Sequence, residues 1–233
     1  MVDYHTHLLP DMDDGVRSVE ESLAALSALK RLGFRHVVLS PHFYTNREPA
    51  DAFIARREDR YARIARAVDS GEGGSYPQLH LGAEVYLTSL LFNTADLRPL
   101  TVDGGDCMLT ELPYDDKLKD STLRNLERLC YSEGITPVLA HIERYPYLLD
   151  PSLLGELFDM GCRAQVNINP LSWGTKRKLK KLLSKGFVFA LGTDTHIGGG
   201  LYDRVSKGLS SVNNALGTGY VKAAGAYTKE NLI

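Results

Sequence analysis

Short apolar runs alternate along this chain with longer segments in which apolar residues recur at helical spacing. The short runs predict strands at residues 2–5, 35–40, 79–85, 107–112, 136–140, 163–168 and 187–192. The longer segments predict helices at residues 18–33, 50–71, 120–133, 151–160, 175–185 and 203–216. Because continuous apolar strands alternate with helices, we expect an α/β fold with a parallel sheet covered by helices. A distorted seven-stranded barrel suits this length, and an open doubly wound sheet is the alternative.

Composition and charge narrow the class of protein. The 233 residues are 43% hydrophobic and 24% charged, which excludes a disordered chain and predicts a single domain over residues 1–233. A formal net charge of −2 argues against a nucleic-acid binder held by bulk charge. No apolar run approaches the roughly 20 residues of a membrane span, so we expect no insertion into a membrane.

Cysteine usage and the first residues bear on the compartment. Cys107, Cys130 and Cys162 show no C-x-x-C spacing, which fits a reducing environment. Asp3 and His5 stand where a secretory signal needs a basic stretch and an apolar run. We therefore expect a cytoplasmic protein.

Two basic stretches stand out against the small net charge. They are Arg56, Arg57, Arg60, Arg63 and Arg66 in the second predicted helix, and Lys176, Arg177, Lys178, Lys180 and Lys181 in the fifth. We expect both to be solvated helix faces, because Leu179, Leu182 and Leu183 can supply the buried side of the fifth helix. Docking of nucleic acid or of an acidic tail is the alternative.

Five of the seven histidines fall at the carboxyl ends of predicted strands or just beyond them, and three acidic residues do the same. The histidines are His5, His7, His42, His141 and His196, and the acids are Glu84, Glu111 and Asp194. In a parallel α/β fold these ends share one face, so the side chains are expected to converge there. His36 and His80 lie inside predicted strands, and we expect them to be structural.

Spacing indicates metal ligands. In His5-Thr-His7 and Asp194-Thr-His196 the paired side chains leave an extended backbone on the same side. Imidazoles and carboxylates without cysteine suit Mn, Fe or Zn at a reactive site better than a structural zinc site. A lone His-x-His occurs often by chance, and Glu84 or Glu111 alone would more often lie on the surface. The prediction of a metal site therefore depends on all five histidines and three acids falling at the carboxyl ends of strands.

The ordered set of motifs resembles a known family. The motifs are Asp3-Tyr-His5-Thr-His7-Leu-Leu-Pro10-Asp-Met-Asp13-Asp14-Gly15, Ser40-Pro-His42, Gly82-Ala-Glu84, Glu111-Leu-Pro113, Ala140-His-Ile-Glu-Arg144-Tyr145 and Asp194-Thr-His196. They resemble the PHP (polymerase and histidinol phosphatase) metallophosphoesterases, in the branch containing bacterial tyrosine phosphatases of capsule and exopolysaccharide synthesis. The resemblance extends from residue 2 to about residue 216 and implies a distorted (β/α)7 barrel, the PHP fold.

The resemblance also implies three divalent ions, usually assigned as Mn in that family. It gives the first ion His5, His7, Glu84 and Asp194, the second Glu84, Glu111 and His141, and the third Asp14, His42 and His196. Asp13 competes with Asp14 for the third ion. We favour Asp14 because it directly precedes Gly15, as in the family motif.

Two arginines are candidates for binding phosphate. The resemblance implies this role for Arg144, which forms the predicted catalytic set together with Glu111 and Asp194; an ion pair with Glu143 or another acid is the structural alternative. Relatives carry a second phosphate-binding arginine after the last histidine, and here Arg204 is the nearest candidate. The branch also has asparagine directly after that histidine, whereas this chain has Ile197.

Charge favours a phosphoester as the substrate. The four predicted ligand carboxylates carry −4 and three divalent ions carry +6, which leaves +2 for a phosphate monoester dianion. A water held between two ions is deprotonated near neutral pH and would serve as the hydroxide nucleophile. A cysteine-based phosphatase needs arginine six residues after its cysteine, and Pro113, Thr136 and Ile168 stand there instead.

These observations predict a metal-dependent protein-tyrosine phosphatase. The resemblance implies that its substrate is the tyrosine-rich tail of a kinase controlling polysaccharide export. Whether the chain forms a homo-oligomer is left open by the sequence. One alternative is a phosphatase for a small metabolite such as histidinol phosphate, or a phosphodiesterase of the same fold. A non-catalytic metal-binding protein is the other.

Overall fold

A computed structural model describes residues 1–70, 76–196, 200–217 and 219–233. The strands are β1 (Val2–Thr6), β2 (His36–Leu39), β3 (His42–Phe43), β4 (Gln78–Leu81), β5 (Glu84–Tyr86), β6 (Cys107–Glu111), β7 (Thr136–Leu139), β8 (Arg163–Asn167) and β9 (Ala190–Gly192). The α-helices are α1 (Val19–Arg31), α2 (Ala50–Asp69), α3 (Asp120–Tyr131), α4 (Pro151–Met160), α5 (Trp173–Leu183), α6 (Leu201–Leu216) and α7 (Tyr220–Asn231).

The strands form a parallel ring. β1 pairs with β2 and β2 with β4, while a second run of pairs joins β3, β5, β6, β7, β8 and β9. Backbone hydrogen bonds from Asp194 to His5 (2.8 Å) and from His7 to Thr195 (2.9 Å) join β1 to the segment after β9. The buried Asp3 carboxylate strengthens this junction by accepting bonds from the Thr193 N–H and hydroxyl (2.8 and 2.7 Å). The prediction of a distorted barrel is confirmed.

One predicted strand is interrupted, and one further short strand lies outside the predicted ones, which accounts for the two extra elements. Residues 79–85 divide into β4 and β5 around Gly82, and a short β3 follows β2 after Pro41, which has no N–H to donate. Between β4 and β5, the Gly82 carbonyl accepts a hydrogen bond of 2.9 Å from the Arg57 guanidinium. Arg57 is 3% exposed, so its prediction as part of a solvated face is wrong. The interruption pairs His42 directly with Glu84.

Three of the seven described α-helices, α1, α4 and α5, begin at a residue whose side chain caps them. The Ser18 hydroxyl accepts from the Glu21 N–H (3.2 Å) at the start of α1, and the Asp150 carboxylate accepts from the Ser152 N–H (2.9 Å) at the start of α4. α7 was not predicted, because its buried side consists of small or weakly apolar residues such as Ala224. The crossover between β5 and β6 contains only short 3₁₀ helices within residues 89–104.

Two apolar clusters hold the barrel. The larger packs the helices against the outside of the strands. The smaller collects residues from facing strands, including Tyr4, Leu109, Val138 and Ala190, and fills the barrel interior together with Leu232. Because the Tyr4 hydroxyl donates to the Leu232 carbonyl (3.3 Å), the segment after α7 covers the floor of this interior.

Among the described helices, we find none that combines the length and apolar character required to cross a membrane.

Candidate metal centre

The carboxyl ends of the strands meet at one opening of the barrel, and β1 reaches it through a bulge. Asp3 pairs with Val37 and Thr6 with Leu39, so β1 has one residue more than β2 in this interval. A bulge changes which side chains face inward. Tyr4 can therefore fill the interior while His5 and His7 face the opening.

Four side chains converge most closely at this opening. The Nε2 atoms of His5 and His7 are 3.0 Å apart. Glu84 Oε2 lies 3.1 Å from His5 Nε2 and 3.3 Å from His7 Nε2. Asp194 Oδ1 lies 3.6 and 3.5 Å from the same two nitrogens. Donors about 2.1 Å from a common ion are separated by roughly 3.0–3.5 Å, so these spacings fit one coordination sphere.

A second group surrounds the other oxygen of Glu84. His141 Nε2 lies 3.0 Å from Glu84 Oε1 and 4.0 Å from Glu111 Oε1. Glu111 also forms a possible ligand group with His42 and Glu84. The structure thus brings together the three residues predicted for the second ion, and it adds His42 at their edge.

A third group lies nearer solvent. Asp14 Oδ1 is 3.3 Å from His196 Nε2 and 3.7 Å from His42 Nε2. The His7 and His196 rings stack with centroids 3.9 Å apart, and His7 joins the same possible ligand group. The Asp14 side chain is 72% exposed, so the third group is the most open of the three.

Asp13 supports the ligands from behind. Its Oδ2 accepts from His7 Nδ1 (2.7 Å) and from the His42 N–H (2.9 Å), while its Oδ1 accepts from the Gly15 N–H (2.9 Å). These contacts leave Asp14, rather than Asp13, directed toward His196. A Cβ at Gly15 would lie 2.1 Å from the His7 carbonyl oxygen, so only glycine allows this loop to pack here.

A pair of buried amides in β8 links three of the predicted ligands. Gln165 Oε1 lies 3.2 Å from His5 Nδ1 and accepts from the His141 N–H at 2.8 Å. Gln165 Nε2 donates to Asn167 Oδ1 (2.8 Å), and Asn167 Nδ2 donates to Asp194 Oδ2 (2.8 Å). Because Gln165 Oε1 can only accept, His5 carries its proton on Nδ1 and directs the Nε2 lone pair toward the opening.

Gly192 makes this arrangement possible. A Cβ at Gly192 would lie 2.5 Å from the Cβ of His5 and 2.8 Å from Gln165 Nε2. The close approach of β9 to both side chains therefore requires glycine.

Two predicted ligands adopt left-handed backbone conformations. His141 has φ 36° and Asp194 has φ 49°, values that are uncommon for residues other than glycine. Each follows a strand and turns sharply out of it. Such conformations concentrate at functional sites, where the surrounding structure holds them in place.

The candidate phosphate ligands lie at the rim. Arg144 donates to Asp194 Oδ2, and its side chain is 49% exposed. The ion pair with an acid that was the structural alternative for Arg144 is therefore present, but its partner is Asp194 rather than Glu143, which accepts from the Asn167 N–H (3.2 Å). Arg204 donates to the Thr195 hydroxyl (3.0 Å), between Asp194 and His196 in the chain. Ile197 lies outside the described residues.

Burial and charge shift the pKa values of the ligands. Burial lowers the pKa of His7, but the carboxylates of Asp13, Asp194 and Glu84 outweigh it and raise the pKa well above its usual value. Burial raises the pKa of Glu84, but His5, His141 and His42 outweigh it and hold the pKa well below its usual value. At Asp13, His7 and two backbone N–H groups likewise outweigh burial and lower the pKa to about 2. Glu84 and Asp13 are therefore held ionised, whereas burial and the neighbouring Glu84 carboxylate raise the pKa of Glu111.

The donor set fits divalent cations. Glu84 Oε2 is buried without a hydrogen-bond partner among the described residues, although imidazole nitrogens lie close to it on several sides. Lone pairs directed at one point repel each other unless a proton or a cation lies between them. Nitrogen and carboxylate donors without cysteine suit Mn, Fe or Zn.

Sequence reasoning missed several residues at this site. Gln165 and Asn167 alternate in a predicted strand, and their polarity in a buried position was the available signal. The Tyr44 hydroxyl lies 3.4 Å from His42 Nδ1 and donates to Glu111 Oε2 (3.4 Å). Nothing in the sequence separates this tyrosine from the other eleven.

The chain forms a closed parallel barrel, and histidines and carboxylates cluster at the carboxyl ends of its strands. This fold and this site are those of a PHP-type α/β protein, which resembles metallohydrolases. The family of capsular polysaccharide synthesis proteins CpsB/CapC matches residues 1–233. The chain belongs to this family, and the resemblance seen in its motifs is confirmed.

Curated relatives agree with this assignment. The chain is 33% identical over 215 residues to the tyrosine-protein phosphatase CpsB of Streptococcus pneumoniae, covering 84% of this chain and 83% of that protein. It is 28% identical over 215 residues to the tyrosine-protein phosphatase YwqE of Bacillus subtilis, covering 84% and 77%.

A solved structure agrees in fold. It comes from the work on YwqE of Bacillus subtilis and CpsB of Streptococcus pneumoniae, described as unique metal-dependent tyrosine phosphatases. It superposes with a TM-score of 0.77 at 20% identity and covers 100% of this chain and 94% of that chain.

Proposed function

We propose that this chain is a metal-dependent protein-tyrosine phosphatase. The observation that carries the proposal is the convergence of His5 Nε2, His7 Nε2 and Glu84 Oε2 within 3.3 Å of one another, beside Asp194. Membership of the CpsB/CapC family and the names of the curated relatives support phosphotyrosine as the reacting group. The relevant process is the synthesis of capsular or other exported polysaccharide.

The complete metal site is part of this proposal. Three divalent ions, most simply Mn²⁺, would be held by His5, His7, Glu84 and Asp194, by Glu84, Glu111 and His141, and by Asp14, His42 and His196. When bound, the ions supply an ionised water near neutral pH and positive charge beside the phosphate. With four ligand carboxylates the site carries about +2, which matches a phosphate monoester dianion.

The side chains at the rim bind and orient the substrate. Arg144 has several N–H donors and uses one of them on Asp194, so its half-exposed guanidinium can bind a phosphate oxygen while staying in place. Its charge stabilises the negative charge redistributed during phosphoryl transfer. Tyr44 orients Glu111 through its hydroxyl. Phenolate is a good leaving group, so a strong general acid is not required.

The wider setting follows from the same reasoning. We propose that the substrate is a phosphotyrosine protein, the tyrosine-rich tail of a bacterial tyrosine kinase, and that residues 1–233 act as one domain in the cytoplasm. Arg204, close to His196 through Thr195, is proposed as a second phosphate ligand.

A comparison of substrates tests the activity. One Mn²⁺-loaded sample is assayed on a phosphotyrosine peptide, on histidinol phosphate and on a phosphodiester, and we expect the phosphotyrosine peptide to be turned over fastest. Chelation should abolish turnover and Mn²⁺ should restore it, while alkylation of the cysteines should leave it unchanged. Faster turnover of histidinol phosphate or of the diester would reject the assignment to phosphotyrosine. Inactivation by alkylation would reject the metal mechanism.

A further inference from the structure

Helix α5 presents a basic surface along most of its length, with an exposed aromatic residue at its start. We define the α5 face as Trp173, Lys176, Arg177, Lys178, Lys180 and Lys181. Trp173 is 76% exposed, and the Arg177 guanidinium lies 5.4 Å from its ring centroid. Trp173, Lys176, Arg177 and Lys180 line a cavity of about 210 Å³. Among the described residues, no carboxylate lies within 4.0 Å of any of these five cations.

The stability of the helix does not explain this pattern of charge. Leu179 and Leu182 provide the buried side of α5, and the first turn contains no acidic residue. Lys176 and Lys180 repel each other at i,i+4 spacing, as do Arg177 and Lys181. Lys180 and Lys181 lie in the last turn, where cations favour the helix dipole, so only the like-charge pairs disfavour the isolated helix.

The start of α5 lies on the same side of the barrel as the candidate metal centre. α5 follows the carboxyl end of β8, the strand that carries Gln165 and Asn167. Arg177, Lys178 and Lys181 line a second cavity, of about 430 Å³, together with Pro146, Leu149, Pro151 and Asp150, whose carboxylate caps α4. That wall belongs to the segment that directly follows Arg144. A polypeptide whose phosphotyrosine reaches Arg144 can therefore continue over the α5 face.

We propose that the α5 face binds an acidic segment of the same polypeptide that presents the phosphotyrosine. Aspartate and glutamate carboxylates of that segment pair with Lys176, Arg177 and Lys180, and one of its side chains packs on the Trp173 indole. This proposal rests on the proposed function, because it names the substrate class of that site. An acidic peptide fits better than a lipid surface, because the α5 face offers a single large apolar group among cations and lies along two grooves.

The only tryptophan of the chain reports binding directly. Metal-free protein, which does not hydrolyse the peptide, is titrated with three phosphotyrosine peptides of equal length that carry four Glu, four Ser or four Lys beside the phosphotyrosine. We expect the acidic peptide alone to shift Trp173 emission and to protect it from iodide quenching. Its affinity should fall roughly tenfold between low and high salt, since the contacts are exposed ion pairs.

Charge reversal locates the contact. The variant Arg177→Glu with Lys180→Glu is compared with Arg63→Glu with Arg66→Glu on α2, which changes the net charge equally. For the Mn²⁺-loaded enzyme we expect the α5 variant to raise KM for the acidic peptide roughly tenfold, because attraction becomes repulsion. Turnover of p-nitrophenyl phosphate should stay unchanged, and the α2 variant should behave as wild type. The melting temperature should not fall, because the α5 variant removes like-charge pairs.

The outcomes separate the two proposals. If p-nitrophenyl phosphate is hydrolysed but the acidic and neutral peptides have equal KM and equal effects on Trp173, the docking proposal is wrong and the phosphatase stands. If no aryl phosphate is hydrolysed, the phosphatase proposal fails, while the fluorescence titration still decides the docking. If anionic lipid vesicles shift Trp173 emission and the acidic peptide does not, the α5 face binds lipid and the docking proposal is overturned.

Discussion

Within the described part of the chain, histidines and carboxylates cluster in two regions, which differ in how the ring nitrogens are used. Away from the candidate metal centre, His36 Nδ1 lies 3.1 Å from His80 Nε2, and His80 Nδ1 lies 2.7 Å from Asp103 Oδ2. This cluster is linear, and both nitrogens of His80 have a partner. At the metal centre, the Nε2 atoms of His5 and His7 instead approach one point.

The difference teaches how a ligand cluster can be distinguished from a structural one. Both regions contain adjacent imidazole rings and a carboxylate, so composition alone does not separate them. At the metal centre the Nδ1 atoms are held from behind, by Gln165 for His5 and by Asp13 for His7. The Nε2 lone pairs are thereby left directed at shared space, which is the requirement for holding a cation.

Glu84 gives the sharpest contrast with Asp103. Glu84→Ala removes the carboxylate shared by the two proposed inner ions, so we expect the phosphatase rate to fall by roughly a thousandfold or more. Bound metal, measured by elemental analysis, should fall with it. Asp103→Ala is the matched control and should retain both metal and activity. Wild-type turnover in Glu84→Ala would reject the site.

A substitution at Arg144 tests whether the arginine at the rim of the barrel opening contributes to activity independently of the metal ligands. Arg144→Ala should lower kcat/KM for a phosphotyrosine peptide by roughly tenfold to a thousandfold, the effect of losing one charge-stabilising donor. Bound metal should be retained, because Arg144 lies outside the ligand groups. Arg128→Ala, an exposed arginine on α3, is the control. An unchanged kcat/KM would assign Arg144 a structural role.

Gln165 tests the support behind the ligands. Gln165→Leu leaves the His141 N–H without its acceptor and releases the ring of His5, so we expect the affinity for Mn²⁺ to fall about tenfold to a hundredfold. Calorimetric titration of the metal-free protein measures this without any assay of activity. Gln78→Leu, in β4 beside the His36 cluster, is the matched control. Equal affinities in the two variants would contradict the proposed support.

Asp103 is expected to give the smallest effect, and only on stability. Burial raises its pKa, but hydrogen bonds from His80 and the Leu81 N–H outweigh this and leave the pKa below its ordinary value. Such a carboxyl stabilises the fold above its unfolded pKa, and the stabilisation is lost as pH falls through the folded pKa. Asp103→Asn should lower the free energy of unfolding by about 1 kcal/mol or less near pH 7.

Denaturant titrations across pH measure this difference. The gap between wild type and Asp103→Asn should narrow below the ordinary aspartate pKa of about 3.9 and close only as pH falls through the lowered folded pKa of Asp103. A gap that persists at acid pH would show that the ion pair is not its source.

Much of the barrel and of the ligand set could be predicted from the sequence. Parallel strands bring their carboxyl ends to one face, so the position of His5, Glu84 or Asp194 after its strand was enough to predict that they converge. Arg57 and Gln165 could not be predicted in this way. Their partners, the Gly82 carbonyl and the His141 N–H, are backbone atoms whose positions depend on the three-dimensional fold.

The order of the strands was also predictable, but their interruptions were not. Gly82 and Pro41 are compatible with a strand end, a turn or a bulge, and only the neighbouring backbone decides between them. α7 was missed because its apolar residues are small, although the segment after it covers the barrel floor with Leu232.

The carboxylate of Glu84 lies between the imidazoles of His5, His7, His42 and His141, and this arrangement couples the proposed ions. If both inner ions bind as proposed, each would take one oxygen of this single carboxylate. A displacement of the Glu84 side chain would then change the distances to both ions at once, so the packing of one short strand, β5, would govern the geometry of the whole centre.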